Sequence, residues 1–408
     1  MKIVFLAPFG IRPKGTVIAR MLPLAASLQE RHGHRVTVVL PPYTNPEDSG
    51  KTEIVRGVRL LNIRLSDCWK PAATLLMAWR MFQVALAERP DIVHLFKPKG
   101  YGGLAAMLML WLTRLGARLP TVMVDTDDWE GEGGMNDLHA YSALERKVFA
   151  FQEQWLLSRA VAVTVASRAL EQMVRQCAKA SGRLMYLPNC VDDSAPGDGS
   201  GIRQRFDIAG DAPVVLLYTR FFEFEQQRLH EVFENIFRRV PGVRFLVVGA
   251  GRAGEEQQLQ AAAVKRGFSG ALVMAGWVEP EQLRDFLAAG DLALYPFADT
   301  LVNRCKCPAK LTELLLAGVP VVADSVGQIP EYLAHDQGGI LCRPGDVDAM
   351  VEGAVRLIGD RTVRLRMGEF NRNHIREEFD WNRMAAALSK LYEDPASGRI
   401  DSTGNPAK

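Results

Sequence analysis

The amino-acid sequence predicts an α/β protein of two lobes, each holding a largely parallel β-sheet. The chain has 408 residues, which is too many for one ordinary core. Short apolar runs alternate with helical patterns throughout, and several runs are apolar on both faces, as parallel strands covered by helices are. The alternation breaks at residues 192–201, a polar stretch rich in Gly, Pro and Ser that is typical of a linker.

The predicted strands form two sets. The strands of the first half are Ile3–Ala7, Arg35–Leu40, Asp91–Phe96, Thr121–Asp125, Ala160–Val165 and Leu184–Leu187. Those of the second half are Val214–Thr219, Arg244–Val248, Ala271–Ala275, Leu292–Tyr295, Val319–Ala323 and Gly339–Cys342. Strands separated by helices form βαβ units, and ligands bind at the carboxyl ends of such parallel strands. We therefore expect two lobes that face each other across a central cleft.

The composition argues against several classes of protein. The chain is 48% hydrophobic and 24% charged, as globular proteins are, and its net charge of +2 gives no case for nucleic-acid binding. Six cysteines in so long a chain suggest a reducing compartment rather than a disulfide framework. The apolar residues after Met1 are too few for an export signal, and the longest apolar stretch, 102–112, falls short of the ~20 residues of a membrane span. We expect a soluble, cytoplasmic protein.

A glycine-rich sequence follows the predicted strand Arg244–Val248. Residues 249–254 fit G-x-G-x-x-G, the pattern that brings a dinucleotide pyrophosphate to a helix N-terminus. That fingerprint also needs an acidic residue about 20 positions further on, at the end of the next strand. Here the next predicted strand ends in Gly276 and Trp277, without a carboxylate. A nicotinamide-dependent oxidoreductase is therefore an alternative interpretation only.

A second stretch, Pro308–Ala323, indicates a phosphate-binding site. A polar loop leads into a short helix, which ends at Gly318 before a buried strand. Backbone N–H groups at a helix start suit a phosphate. Glu313 lies about one turn into the helix, where its carboxylate can accept hydrogen bonds from both hydroxyls of a ribose. The alternative is a surface glutamate that the helix dipole favours.

These two stretches, with four others, resemble the signatures of family 4 glycosyltransferases of the GT-B fold. The matching segments follow in the same order over nearly the whole chain, at Leu187–Asp192, Tyr218–Arg220, Leu246–Gly251, Ala275–Val278, Pro308–Ala323 and Asp324–Glu331. The resemblance implies two facing Rossmann-like lobes and hexosyl transfer from a nucleotide sugar, with retention at the anomeric carbon. It implies no metal, and no cofactor besides the nucleotide sugar as co-substrate.

The same resemblance implies roles for residues of the second lobe. Glu313 would bind the donor ribose and is, with His94, a candidate catalytic residue. Arg220 would neutralise the diphosphate, and the loop that holds Lys310 would cradle it, because a cation there stabilises the leaving nucleoside diphosphate. The other residues expected to contact the donor are Gly15, Thr219, Gly249, Val278, Ala309 and Leu311.

Two positions depart from the family pattern. The earlier of two glutamates eight residues apart would fall at Cys305. A lysine that usually follows the arginine by five or six positions is replaced by Glu225 and Gln226. Either Arg228 or Lys310 would then supply the second positive charge, or donor binding would be weaker. We favour Lys310, because its loop is the one expected to meet the phosphates.

Candidate residues of the first lobe lie after its predicted strands. Phe9–Thr16 joins the first strand to a helix, and Gly15 within it would let the backbone approach a phosphate. His94 lies inside a strand, where a histidine is more often structural. The family often has H-x-H there, and Phe96 takes the second place in this chain. Lys97, in the cationic turn that follows, would meet the acceptor or a donor hydroxyl.

Asp127 and Asp128 follow another predicted strand of the first lobe. The spacing Asp125-x-Asp127 is the one that GT-A glycosyltransferases use to hold a divalent metal on the donor. We expect Asp127 and Asp128 to hydrogen-bond sugar hydroxyls on the acceptor side instead, because the donor signature lies far along the chain and matches GT-B enzymes.

An apolar helix predicted at Ala72–Ala87 raises the question of membrane contact. Trp69, Lys70 and Arg80 flank or interrupt it, and many relatives in the family use lipid-linked acceptors. An aromatic and basic patch of this kind can bind the inner membrane face peripherally. A core helix packed on the sheet is the alternative, and it is the more common arrangement in α/β lobes.

The expected organisation is an acceptor-side lobe at residues 1–195, a linker at 196–210, a donor-binding lobe at 211–378, a C-terminal helix at 379–393 that crosses back to the first lobe, and a disordered tail at 394–408. The expected partners are a nucleotide sugar and an unidentified acceptor, for which a lipid-linked molecule and a glycan are the candidates, with no nucleic acid. A GT-B nucleotide-sugar epimerase and a non-catalytic nucleotide-sugar binder are further alternatives.

Overall fold

The computed structural model describes residues 1–12, 15–177, 183–192 and 195–394. They form two compact units. The first holds Met1–Cys190, the short segment Cys305–Cys307 and the chain from Phe379 onward. The second holds Val191–Arg304 and Pro308–Glu378. All but the first residue of the predicted disordered tail lies outside the described residues.

The first unit is built on a mixed sheet. Its strands are β1 (Lys2–Leu6), β2 (Arg35–Leu40), β3 (Thr52–Val55), β4 (Val58–Asn62), β5 (Ile92–Phe96), β6 (Thr121–Thr126), β7 (Ala162–Val165) and β8 (Arg183–Tyr186). They lie in the order β3-β4-β2-β1-β5-β6-β7-β8, and neighbours are parallel except β3 and β4. The sequence does not predict the β3–β4 hairpin, because β3 is an edge strand of four residues with two apolar side chains.

Helices cover both faces of this sheet. They are α1 (Leu22–His32), α2 (Lys70–Ala87), α3 (Gly100–Arg114), α4 (Ala143–Leu157), α5 (Arg168–Cys177) and α15 (Trp381–Glu393), and a π-helical turn, Val17–Met21, precedes α1. Right-handed crossovers place α2, α3 and α4 on one face, because each leads to the next strand in the same direction, and α1 on the other. Helix α15 packs on α1, where the Ser27 hydroxyl donates to Asn382 Oδ1 at 2.8 Å.

The second unit has a fully parallel sheet. Its strands are β9 (Val214–Tyr218), β10 (Arg244–Val248), β11 (Leu272–Gly276), β12 (Leu292–Tyr295), β13 (Val321–Asp324) and β14 (Gly339–Cys342). Their order is β11-β10-β9-β12-β13-β14, the Rossmann order in which the chain runs outward from β9 and then returns to the other side of it.

The helices of the second unit are α6 (Ser200–Arg205), α7 (Gln226–Arg239), α8 (Glu255–Arg266), α9 (Pro280–Ala288), α10 (Leu301–Cys305, whose last residue belongs to the first unit), α11 (Ala309–Leu316), α12 (Ile329–Tyr332), α13 (Val347–Gly359) and α14 (Arg361–Glu378). Helix α7 buries Leu229, Val232, Phe233 and Ile236, the spacing of one apolar face. Phe233 stacks on Phe245 of β10 with ring centroids 4.2 Å apart. Within the described parts of the chain, no helix is both long and apolar enough to cross a membrane.

The segment predicted as a linker is folded into the second unit. It contains α6, and Arg203 of that helix forms an ion pair with Asp291 at 2.8 Å and donates to the Ala289 carbonyl at 3.2 Å. Gly199 lies so close to the end of α9 that a Cβ atom would come within 2.4 Å of the Ala289 nitrogen. These contacts join the predicted linker to the rest of the second unit.

Candidate active site

The chain order of the second unit reverses between β9 and β12, which lie side by side in the sheet. Ligands of open parallel sheets bind beside the carboxyl ends of the strands at such a point. A small pocket lies there, and its lining includes Tyr218, Thr219, Tyr295, Phe297 and Lys310. The topology therefore selects the same end of β9 that the sequence motif Tyr218–Arg220 marks.

Four side chains converge at this end of β9. Lys310 and Glu313 lie three residues apart on α11 and therefore share a helix face. Lys310 Nζ is 5.2 Å from the centroid of the Tyr218 ring. The Tyr218 hydroxyl is hydrogen-bonded to the Glu313 carboxylate, and Arg220 is close enough to stabilise the charge of that carboxylate.

The protonation of this group follows from burial and from the neighbouring charges. Burial raises the pKa of Glu313, while Lys310, the hydrogen bond from Tyr218 and Arg220 oppose that rise. Burial and the Glu313 carboxylate raise the pKa of Tyr218, so its hydroxyl stays protonated and donates to the carboxylate. An ionised carboxylate has about four lone-pair sites, so Glu313 keeps acceptor capacity for further hydroxyl groups.

Arg228, the other candidate for the second positive charge, is engaged elsewhere. Its guanidinium donates two hydrogen bonds to Asp324, at 2.6 and 2.9 Å. Asp324 is fully buried and also accepts the backbone N–H of Phe297 at 2.8 Å. Arg228 and Asp324 thus form a structural ion pair between α7 and the end of β13. Lys310 lies beside Tyr218 and is therefore better placed than Arg228 to supply the second positive charge of the site, next to that of Arg220.

The glycine-rich loop after β10 binds the carboxylates of its own chain. Glu256 Oε1 accepts the N–H of Gly251 at 2.9 Å. Glu255 Oε2 accepts the N–H groups of Arg252 and Ala253 at 2.9 and 2.7 Å. A dinucleotide-binding loop would offer N–H groups of this kind to a pyrophosphate. Because the first residues of α8 already take them, the loop gives no support to the nicotinamide-dependent alternative.

Gly249 and Thr219 have clear structural roles at the same end of the sheet. Gly249 has a φ of 120°, and a Cβ atom there would lie 1.9 Å from the Thr219 carbonyl oxygen. The close approach of β9 and β10 therefore excludes a side chain at Gly249. Thr219 is buried, and its hydroxyl oxygen accepts the N–H of Phe221 at 2.8 Å.

The other residues implied to contact a donor differ in exposure. Ala309 is partly exposed at the first position of α11, whereas the Leu311 side chain is fully buried. A ligand at this helix start would therefore meet the Leu311 backbone rather than its side chain. Val278 is partly exposed in the loop between β11 and α9.

In the first unit, the predicted acceptor-side residues lie together after β5 and β6. Lys97 Nζ is 2.8 Å from Asp127 Oδ1, 2.5 Å from Asp128 Oδ2 and 3.5 Å from Glu130 Oε1. Lys97 has a left-handed φ of 62°, uncommon for a residue with a side chain. Burial alone would lower the pKa of Lys97, but the three carboxylates raise it well above its ordinary value. The lysine is therefore charged and held in place.

Negative charge exceeds positive charge around this lysine. Lys99 Nζ lies 2.6 Å from Glu130 Oε2 and 2.8 Å from Asn136 Oδ1. Glu153 of α4 is fully buried and accepts the backbone N–H of Glu130 at 3.1 Å. Burial and the nearby Glu130 raise the pKa of Glu153 to about 8. The acidic cluster thus includes one carboxyl group, that of Glu153, which is protonated at neutral pH.

The Asp125-x-Asp127 spacing does not bring two free carboxylates together. Asp125 is fully buried and accepts from Arg20 at 2.6 and 3.0 Å and from the Thr164 hydroxyl at 2.5 Å. Asp127 instead faces Lys97. Among the residues that the structure describes, no group of three or more His, Cys, Asp or Glu side chains is arranged to hold a metal ion.

His94 is fully buried in β5. Its Nδ1 lies 2.7 Å from the Tyr392 hydroxyl and its Nε2 lies 3.3 Å from the Thr164 hydroxyl. Burial and the nearby Arg20 lower the pKa of His94 to about 3, so the ring is neutral near pH 7. Both nitrogens have partners inside the unit, which favours the structural alternative for this histidine.

Gly15 is exposed and lies two residues before the π-helical turn Val17–Met21. Its neighbours Pro13 and Lys14 lie outside the described residues. The next residue, Thr16, donates from its hydroxyl to Asp127 Oδ2 at 3.5 Å. Gly15 therefore lies beside the cluster around Lys97.

Comparison with known protein families matches both halves of the chain. The glycosyl transferase 4-like domain matches residues 15–190, and the glycosyl transferases group 1 domain matches residues 212–360. The protein is a GT4-like glycosyltransferase. It has the GT-B fold.

Named relatives and solved structures are similar to this glycosyltransferase at low identity. The GDP-mannose-dependent alpha-(1-6)-phosphatidylinositol monomannoside mannosyltransferase of Mycobacterium tuberculosis is 26% identical over 231 residues, 53% of this chain and 57% of that protein. The matched stretch thus spans little more than half of that relative. Sucrose-phosphate synthase from Thermosynechococcus elongatus superposes with a TM-score of 0.72 at 17% identity, covering 96% of this chain and 98% of that one. HepE of Anabaena, solved with UDP, gives 0.70 at 18% identity, covering 96% and 100%.

Sequence reasoning about this glycosyltransferase misses several residues. Tyr218 belongs to the motif Tyr218–Arg220, but the sequence does not indicate that its hydroxyl interacts with Glu313. Arg20 is fully buried and donates to Asn189 Oδ1 at 3.1 Å and to the Leu187 carbonyl at 2.8 Å, so it organises the end of β8. Its signal is a lone arginine in an otherwise apolar helical stretch. Glu153 gives a similar signal, a carboxylate next to the apolar end of α4.

Position 305, where the family has its earlier glutamate, belongs to the first unit. Cys305 is fully buried, and its backbone carbonyl accepts the Ser167 hydroxyl at 2.7 Å. Cys307, two residues on, accepts the backbone N–H of Asn189 on its Sγ at 3.1 Å. The segment thus contributes packing and backbone contacts in this glycosyltransferase, and no carboxylate.

Proposed function

We propose that this glycosyltransferase moves a hexosyl group from a nucleoside diphosphate sugar to an acceptor hydroxyl, with retention of configuration and without a metal ion. This proposal rests on the convergence of Arg220, Lys310 and Glu313 at the carboxyl end of β9, where the chain order of the second unit reverses. Two cations suit a diphosphate, and an ionised carboxylate suits the two hydroxyls of a ribose.

Two of the similar proteins support a nucleotide-activated donor. The mycobacterial relative is named as GDP-mannose-dependent, and the HepE structure contains UDP. In this chain the donor ribose would bind Glu313, which Tyr218 holds in place. The backbone at Ala309 and Leu311, and the loops at Gly249 and Val278, would line the rest of the donor site.

In the proposed reaction, the bond between the anomeric carbon and the phosphate oxygen breaks. Lys310 and Arg220 balance the negative charge that grows on the leaving diphosphate. The acceptor oxygen bonds to the anomeric carbon on the face that the phosphate leaves, which retains the configuration. The acceptor proton passes to a phosphate oxygen. Two fixed cations would thereby provide the charge stabilisation that a divalent metal provides in other transferases.

We assign the acceptor to the cluster around Lys97 in the first unit. Asp127 and Asp128 are partly exposed and have lone pairs for sugar hydroxyls, and Gly15 lies beside them. The acceptor would be a glycan or a lipid-linked sugar. His94 would serve the fold rather than the reaction, because its ring is buried and neutral. A cytoplasmic location remains a prediction.

A screen with nucleotide sugars tests the donor assignment. A donor present at about a hundred times its dissociation constant should stabilise the protein by about 2.7 kcal/mol, which a thermal shift detects. Release of free nucleoside diphosphate that depends on an acceptor would support transfer. An isomeric nucleotide sugar without free diphosphate would indicate an epimerase, and binding without any product would indicate a non-catalytic binder. Loss of turnover with a chelator, restored by Mn²⁺, would contradict the metal-free mechanism.

A further inference from the structure

Helix α3 turns its large apolar side chains away from the core of the first unit. Its buried residues are mainly small, and they are Gly102, Gly103, Ala105, Ala106 and Met109. The larger apolar residues Leu104, Leu108 and Trp111 lie at helical spacing on a different face, and Leu115 directly follows the helix. Trp111 is 54% exposed. An ordinary core helix of an α/β lobe has the opposite arrangement.

Helix α4 shows the same inversion. Its exposed side includes Leu144, Val148 and Phe151, at i, i+4 and i+7, and Leu144 is 73% exposed. Its buried side includes the polar residues Gln152 and Glu153. Packing against the sheet therefore does not explain the outward apolar residues of α4.

Helix α2 extends this surface. Helices α2, α3 and α4 form one layer, in which α3 packs against both of the others. Leu75 and Trp79 of α2 are exposed, and so is Trp69 just before it, at 78%. The helix predicted at Ala72–Ala87 lies within α2 and combines the two arrangements considered for it. It has a core side, where Met81 and Ala85 are fully buried, and an exposed apolar side. We call this surface the outer helix face; its residues are Trp69, Leu75, Trp79, Leu104, Leu108, Trp111, Leu115, Leu144, Val148 and Phe151.

Positive charge accompanies the outer helix face. Helices α2 and α3 contain Lys70, Arg80 and Arg114 and no acidic residue. Helix α4 adds Arg146 and Lys147 and two glutamates, of which Glu153 is buried. Apolar side chains, tryptophans and basic residues on one face are the features by which helices bind the headgroup region of an anionic bilayer.

We propose that the outer helix face docks on an anionic phospholipid bilayer, with Trp79, Trp111 and Phe151 entering the headgroup region. A second copy of the chain fits less well. An isologous contact would place this basic face against an identical one, and like charges would then repel each other. The docking does not depend on the sugar transfer proposed above, because the face lies on helices and the donor residues lie in the other unit.

Flotation of the full-length protein with vesicles tests the docking. We expect strong binding to vesicles that contain phosphatidylglycerol, much weaker binding to vesicles of phosphatidylcholine alone, and weaker binding at high salt. The double variant Trp111→Ser/Leu115→Ser should lower partitioning into the anionic vesicles by about tenfold or more, because two large apolar groups leave the interface. The double variant Lys70→Glu/Lys147→Glu should also lower partitioning into the anionic vesicles. This reduction should be larger at low salt than at high salt, because salt screens the charges.

Matched controls use exposed residues of the second unit. Val264→Ser and Leu365→Ser each remove an exposed apolar side chain, and Lys265→Glu reverses an exposed charge. These variants should bind the vesicles as the unchanged protein does. Thermal unfolding and donor binding, measured on the same samples, show that each variant is folded and that a failed flotation is separate from a failed donor assignment.

Two results would overturn the docking. One is flotation of the unchanged protein that does not respond to anionic lipid. The other is a stable dimer in analytical ultracentrifugation that Trp111→Ser/Leu115→Ser converts to monomer, together with no binding to anionic vesicles. That second outcome would assign the outer helix face to a contact between copies of this chain.

Discussion

Arg228 donates two hydrogen bonds to the carboxylate of Asp324, at 2.6 and 2.9 Å, inside the second unit of this glycosyltransferase. Asp324 has no exposed surface, so the guanidinium balances a charge that water does not reach. This relationship separates two cations that are equivalent in the sequence. Arg228 supports the fold, and Lys310 remains beside Tyr218 and Arg220 in the proposed donor site.

Replacing each of the two cations by alanine should give opposite results. Lys310→Ala should weaken binding of the nucleotide sugar by about tenfold to a hundredfold, because a charge-assisted contact to the diphosphate is lost. Its effect on the free energy of unfolding should stay within about 0.5 kcal/mol. Arg228→Ala should destabilise the protein by about 3–5 kcal/mol, because it leaves Asp324 buried without its cation. Titration calorimetry and denaturant unfolding of both variants give the comparison. Unchanged donor affinity in Lys310→Ala would remove this lysine from the site.

Glu313→Gln should weaken donor binding by about one to two orders of magnitude, because the amide lacks the charge and one acceptor oxygen. Stability should change little. The raised pKa of Glu313 adds a pH test. As the pH falls through that pKa, the carboxyl of the unchanged protein becomes protonated, so its donor affinity should fall before that of an ordinary glutamate site. The Glu313→Gln variant should show a flatter response to acid. Equal affinities at neutral pH would place the donor elsewhere.

Tyr218→Phe tests the contact that holds Glu313. Loss of the hydroxyl leaves the carboxylate without one hydrogen bond, and we expect donor affinity to fall several-fold at neutral pH, less than in Glu313→Gln. Tyr295→Phe is a suitable comparison, since this tyrosine lines the same pocket from β12. A drop in affinity that is equal for both tyrosines would indicate a general effect on the pocket rather than the specific contact with Glu313.

His94 should affect stability in acid rather than the pH dependence of turnover. Its pKa of about 3 in the folded protein lies below the ordinary value of 6.5, so the unfolded chain binds one proton more between these values. This histidine therefore contributes stability above about pH 6.5, and that contribution is lost as the pH falls toward 3. His94→Gln should lessen the loss, as unfolding curves at several pH values would show.

The same histidine gives a test of catalysis. If His94 is structural, His94→Gln leaves the shape of the pH–rate profile between pH 5 and 8 unchanged, even where the amount of folded protein falls. Tyr392→Phe should destabilise the protein by about 1–3 kcal/mol, because it removes the partner of His94 Nδ1 from a buried site. Disappearance of one limb of the pH–rate profile in His94→Gln would instead support a catalytic histidine.

Glu153 should make the protein less stable as the pH rises. Its pKa of about 8 in the folded protein exceeds the ordinary 4.5, so the folded state holds one proton more between these values. Stability therefore falls as the pH rises from about 4.5 to 8. Glu153→Gln keeps a neutral group at this place and should raise the unfolding temperature by a few degrees at pH 8, with little effect at pH 5. Glu132→Gln, at an exposed site, should have no such pH-dependent effect.

The sequence by itself determined the α/β class and the positions of the twelve strands that it predicts, because the burial period of a strand is a local property. It also determined the family and the segments that meet at the end of β9, since parallel strands bring their carboxyl ends to one edge. It missed the edge hairpin β3–β4, and it did not show that the predicted linker at residues 196–210 contacts the rest of the second unit through Arg203 and Gly199.

Only the tertiary structure decided where each of the charged groups lies and which of them supports the fold. Arg228 and Lys310 have the same charge in the sequence, and Asp324, distant along the chain, engages one of them. The sequence of the loop at Gly249 resembles a pyrophosphate site, but in the structure its N–H groups donate to the carboxylates of Glu255 and Glu256. The outward apolar side of α3 and α4 likewise depends on which helix face the sheet covers. The ion pairs and hydrogen bonds of these groups, and the covering of a helix face by the sheet, often depend on residues that are distant along the chain. The local pattern of residues therefore does not predict them.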